Sequence, residues 1–113
     1  MKINQQKISK TYFTIYVGLG QNFDLKPADA MLVSLVKSLS KKCGYCYSSR
    51  RDLAWRLNVS TATIYNSLNR LKFKGLMKNA GISEYQTMRL ELTEICNDYI
   101  EKIRSTYKKE TNY

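Results

Sequence analysis

Five residues in the middle of the chain form a set with one kind of chemistry. Thr61, Ala62, Tyr65, Asn66 and Asn69 carry no charge, and most have side chains that both donate and accept hydrogen bonds. At about 100° per residue they share one side of a helix, away from Ile64 and Leu68. Such groups suit the edges of DNA bases, where Asn pairs in a bidentate way with adenine and small or aromatic groups touch the thymine methyl. Around them stand Arg50, Arg51, Arg56, Arg70, Lys72, Lys74 and Lys78. Of these, Arg50, Arg51, Arg70, Lys72, Lys74 and Lys78 are expected to hold phosphates on either side of the reading surface. The alternative is a helical hairpin with a solvated polar face, which does not account for where the charge lies.

Other chemistry is poorly supported. Cys43 and Cys46 form a C-x-x-C, but structural zinc needs four ligands, and the chain has no histidine and only Cys96 besides. A redox pair would be expected beside a βαβ pattern, which is missing, so these cysteines are read as small packed residues. No histidine, Gly-rich phosphate loop or paired carboxylates suggest an enzyme. Glu94, Asp98 and Glu101 lie on one helix and read as a solvated face. No cofactor and no metal are expected.

The net charge is +10 over 113 residues. From Lys37 to Lys78 there are ten Lys or Arg and one acid, Asp52, a net of +9. Elsewhere nine basic residues nearly balance eight acidic ones. A basic patch confined to one module is the footprint of a polyanion binder. The length suits one domain with one modest core. No apolar run approaches the roughly 20 residues that span a bilayer. MKINQQKISK lacks the apolar region of a secretory signal, so a cytoplasmic location with reduced cysteines is expected.

The elements that would position the reading surface follow from caps and periodicity. Leu53, Ala54 and Leu57 share one face of a first helix, and Ser49 with Asp52 makes a variant capping box. Asn58 tolerates the left-handed backbone of a tight turn. Val59 would fill the space between helices, and Ser60 is a good N-cap for a second helix. Ile64, Leu68 and Leu71 form its buried stripe, and Gly75 ends it. This is a helix-turn-helix pattern. The run from Leu53 to Ser60, with Leu68-Asn69-Arg70-Leu71 and Lys74-Gly75-Leu76, resembles the winged helix-turn-helix domains of bacterial, phage and plasmid DNA-binding proteins. The departure is Asn58, where that family usually has glycine. The resemblance implies a mainly α fold with a small β-hairpin wing.

The flanks complete the expectation. Residues 1–10 read as a flexible N-terminus, residues 11–93 as the winged domain and residues 94–113 as a C-terminal helix. Thr11 to Val17 suits a short strand, and Gly18, Gly20 and Asn22 a loop. This order, leading to Leu25-Lys26-Pro27, resembles the lead-in of winged domains in plasmid and phage replication initiators. Pro27 opens a core helix with Met31, Leu32, Leu35, Val36 and Leu39 at helical spacing. Tyr45 and Tyr47 would share one side of a short strand pairing with the wing. Leu76 to Asn79 and Gln86 to Thr93 read as the hairpin. Ala80 to Ser83 would be its loop, Lys78 and Asn79 would lie at its tip, and Arg89 would lie on its wet face. Thr93 caps a last helix from Glu94 to Lys109, with Cys96, Ile100, Ile103 and Tyr107 as a narrow seam. That seam either folds back on its own domain or pairs with a twin; the resemblance favours a homodimer through residues 94–109. The reading is therefore a double-stranded DNA-binding transcriptional regulator. The alternatives are a replication accessory protein or a winged-helix protein-interaction module.

Overall fold

A computed structural model describes residues 13–41, 44–82 and 88–111. The chain runs α1 (Val17–Phe23), α2 (Pro27–Leu39), α3 (Arg50–Leu57), α4 (Thr61–Phe73), β1 (Met77–Ile82), β2 (Met88–Leu92) and α5 (Glu94–Thr111). The expectations for residues 1–10, for Cys43 and for the loop after Ile82 fall outside the described residues.

The central element is α2. Pro27 supplies a fixed φ at the first turn, and Asp29 Oδ2 accepts a hydrogen bond from the Lys26 amide at 3.3 Å. Ala30, Leu32, Val33, Leu35 and Val36 are all buried, so most of the helix circumference is enclosed. Its neighbours include α1, α3, α4 and β2. A helix apolar on most sides belongs inside a domain, and the others pack around this one.

The segment before α2 departs from the sequence expectation. Residues 13–16 form no strand, and residues 17–23, read as strand end and loop, form α1. Two glycines in a seven-residue helix cost about 1 kcal/mol each. Burial of Leu19 contributes roughly 1.5–3 kcal/mol in return. Both helix ends are completed from elsewhere in the fold. The Tyr16 amide donates to Ser34 Oγ on α2 at 3.0 Å. At the other end Lys74 Nζ donates to the Phe23 carbonyl at 2.8 Å and the Asp24 carbonyl at 3.4 Å. Gly18 also permits close packing: a Cβ there would stand 3.2 Å from Ile103 Cδ1.

The wing is an antiparallel pair in which Met77 faces Leu92, Lys78 faces Glu91 and Asn79 faces Leu90. The register shifts between Asn79 and Ile82, so strand continues through residues 80–82, where the sequence suggested a loop. Lys78 and Asn79 accordingly sit on the stem of the hairpin and not at its tip. Cys46 bridges Leu90 through two backbone hydrogen bonds of 2.7 Å, which adds a short third edge as expected. Met77, Leu90, Leu92 and Cys46 are buried against the helices.

Thr93 caps α5 through a 3.3 Å bond from the Cys96 amide. Cys96 and Ile100 are fully buried, and Tyr99 meets Phe23 edge-on with centroids 5.0 Å apart. Lys37 Nζ on α2 donates to Asn97 Oδ1 at 2.9 Å. Cys96, Ile100 and half-buried Ile103 of the apolar seam therefore fold back on the chain's own core. Among the described residues no helix is long and apolar enough to cross a membrane.

Candidate nucleic-acid interface

Local chemistry sets α3 and α4 at their angle. Ser49 Oγ accepts from the Asp52 amide at 3.0 Å, and Ser60 Oγ accepts from the Thr63 amide at 3.1 Å. Between the helices Asn58 takes φ 57° and ψ 47°, the left-handed conformation the turn requires. Val59 packs half-buried on the core. Leu53, Ala54 and Leu57 on α3 and Ile64, Leu68 and Leu71 on α4 are buried together. The last turn of α4 closes with Gly75 at φ 73°. There the Gly75 amide donates to the Lys72 carbonyl at 3.1 Å and the Leu76 amide to the Leu71 carbonyl at 3.0 Å. These bonds satisfy carbonyls that a helix end leaves open.

With that stripe inside, Thr61, Ala62, Tyr65, Asn66 and Asn69 are all exposed on one side of α4. Tyr65 is 56% accessible. The side is uncharged and hydrogen-bonding over two turns.

The cations divide into two groups. Arg51 is exposed, Arg50 and Lys72 are half-buried, and Arg56 pairs with Asp52 at 2.9 Å. The Lys72 ammonium is pushed below the usual lysine value, first by burial and then by the charge of Arg50, so these two cations from different helices lie near each other. Arg70 and Lys74 behave otherwise. Arg70 makes a bidentate pair with Asp29, 2.9 Å from Nε to Oδ2 and 2.8 Å from Nη2 to Oδ1, and Nη2 also reaches Ser67 Oγ at 3.3 Å. Arg70 thus ties α4 to α2. Lys74 caps α1, and Lys78 faces Glu91 at 3.9 Å on the wing stem.

Sequence reasoning missed Asp29 as a structural acid. It is fully buried. Burial pushes its carboxyl up, but hydrogen bonds from Arg70, Ser67 and the Lys26 amide, with the Arg70 charge, outweigh this and hold it below its ordinary value. The available signal was an acid at the third position of a proline-started helix, which suits a capping role. The wing also differs from expectation. Arg89 is half-buried, with its guanidinium carbon 4.7 Å from the centroid of the Tyr45 ring. Cys46 and Cys96 are free thiols; burial raises both, Cys96 to about 11. Among the described residues no cluster of three potential metal ligands exists.

A core helix, a capped helix-turn-helix pair, and a hairpin wing returning to a terminal helix define a winged helix-turn-helix fold. Solved structures share it. The S. aureus MepR–DNA complex matches with a TM-score of 0.63 at 18% identity, over 83% of this chain and 64% of that one. The transcriptional regulator Tm0710 from Thermotoga maritima matches with a TM-score of 0.59 at 18% identity, over 82% and 64%. MarR matches with a TM-score of 0.54 at 18% identity, over 85% and 74%. The chain thus spans just under two thirds of the length of MepR and Tm0710. No protein-family model and no curated protein sequence matches the chain.

Proposed function

We propose that this chain binds double-stranded DNA with a sequence preference and acts as a transcriptional regulator. The carrying observation is the exposed, uncharged side of α4, together with Lys72 on the same helix and Arg50 and Arg51 at the start of α3. In this reading α4 enters the major groove with Thr61, Ala62, Tyr65, Asn66 and Asn69 toward base edges. Arg50, Arg51 and Lys72 take phosphates, with Lys78 on the wing stem as an outer contact. Arg70 drops out because its guanidinium is engaged by Asp29, and Lys74 because its ammonium caps α1. The MepR structure on DNA supports the fold's fitness for this task.

In vitro selection from random duplexes tests the reading. The expected result is an enriched motif, with Asn66→Ala costing roughly 1–3 kcal/mol on it and relaxing one position. A selection that enriches nothing, or an Asn66→Ala profile identical to the parent, would refute it.

The same reading includes a homodimer through residues 94–109 that meets two half-sites about one helical turn apart. Because Cys96 and Ile100 face the chain's own core, pairing draws on exposed Ile95 and on the turns after Ile103. Light scattering on the full chain should report twice the mass of one chain; a single-chain mass would remove the dimer.

A further inference from the structure

The outward face of the wing carries an arrangement that duplex reading does not use. The Cys46–Leu90 bridge turns Cys46 inward, so Tyr45 and Tyr47 project to the opposite side. Arg89, next to Leu90, projects there too, and its guanidinium lies over the Tyr45 ring at 4.7 Å. Tyr45 and Tyr47 meet at 67°, with centroids 6.4 Å apart. Tyr47 is 63% accessible despite being aromatic. Among the described residues Arg89 has no ion pair, and its buried Nε has no hydrogen-bond partner. Tyr47 also lines an open cleft of about 380 Å³ with Leu39, Ser48, Ser49, Asp52 and Arg56.

We propose that this face binds an unpaired nucleotide of a single-stranded nucleic acid. The base enters the cleft against the Tyr47 ring, over Leu39. The serine hydroxyls, with Asp52 and Arg56 held to each other at 2.9 Å beside them, line its hydrogen-bonding edge. Arg89, over the Tyr45 ring at 4.7 Å, presents its guanidinium to a neighbouring phosphate.

The combination separates this ligand from others. A duplex already stacks its bases on one another and has no use for an exposed ring beside a cleft. A lone phosphate would need the arginine but neither the ring nor the cleft. Aromatic rings, an arginine plane and a nearby cation on an open strand surface are what splayed bases stack on. None of these residues belongs to the exposed side of α4, so the inference stands or falls apart from the duplex reading.

Anisotropy of a labelled oligothymidylate strand, with a fully paired hairpin as comparison, tests it on the full chain. Tyr47→Leu should weaken binding of the strand on the order of tenfold while leaving hairpin affinity unchanged, and Tyr47→Phe should keep both. Arg89→Gln should flatten the strand's salt slope by about 0.7. Photocrosslinking of a strand carrying a halogenated pyrimidine to the unmodified protein should map to Tyr47, which needs no variant to fold. No strand binding at low salt, an equal loss on strand and hairpin for Tyr47→Leu, or crosslinks confined to α4 would each overturn the proposal. The Asn66→Ala selection reads the duplex function independently of all these outcomes.

Discussion

Replacing Asp29 by alanine removes the acid that ties the exposed helix of the interface to the central one. The carboxylate is fully buried and receives both arms of the Arg70 guanidinium, at 2.9 and 2.8 Å. Removing one partner of a buried pair costs about 3–5 kcal/mol, because a charge is left without compensation. The Arg70 side chain is 33% accessible and regains some water once freed. That places the expected loss at the lower end, about 3 kcal/mol. For a domain of 113 residues each kcal/mol moves the melting midpoint by about 4 °C, so the midpoint should fall by roughly 10–15 °C at neutral pH. Thermal unfolding followed by circular dichroism reads this directly. The pH dependence has a definite sign. The folded carboxyl is held below 3.8, so its contribution is complete above that value and disappears as pH falls through the lowered one. Asp29→Asn should therefore flatten the acid side of the stability profile. Arg70→Met should destabilise comparably yet leave the DNA salt slope unaltered, since the arginine meets an acid and not a phosphate. A midpoint within about 3 °C of the parent for Asp29→Ala, or a slope reduced by Arg70→Met, would refute the argument.

Further outcomes follow from the same geometry. Arg50→Ala should weaken binding to all duplexes alike and reduce the salt slope by about 0.9, measured by titration across salt concentrations. Asn58→Val should cost about 1–2 kcal/mol in denaturant unfolding, because a β-branched residue resists φ 57°, whereas Asn58→Gly should be neutral or stabilising. With Cys43 replaced by serine, the remaining thiols should stay unreactive toward a disulfide reagent at pH 8 until the protein is unfolded, since both are buried and Cys96 titrates at about 11.

The helix-turn-helix was legible because its signals are local. Ser49, Asn58, Ser60 and Gly75 each act within a few residues of themselves, and the apolar stripe of α4 has an unbroken period. The helix α1 was not legible because its support is remote. Ser34 and Lys74, which complete its two ends, lie 18 and 51 residues from the groups they serve. Taken alone, VGLGQNF offers two glycines and only Val17, Leu19 and Phe23 as apolar residues. The exposed side of α4 could be read by elimination from the stripe. The fate of the cations around it could not, since an arginine bound to a buried acid and an arginine open to solvent look alike in sequence. Arg70 and Arg51 are that pair. The wing strands were visible as alternation, but their register depended on an irregularity between Asn79 and Ile82 that alternation does not encode.

Thr93 joins three parts of the molecule at one point. Its hydroxyl donates to the Gly75 carbonyl at 2.6 Å, its amide to the Leu76 carbonyl at 3.1 Å, and its own carbonyl receives the Asn97 amide at 3.0 Å. The exit of α4, the base of the hairpin and the first turn of α5 therefore share one rigid joint. The direction in which α5 leaves the core is thereby fixed relative to the end of α4.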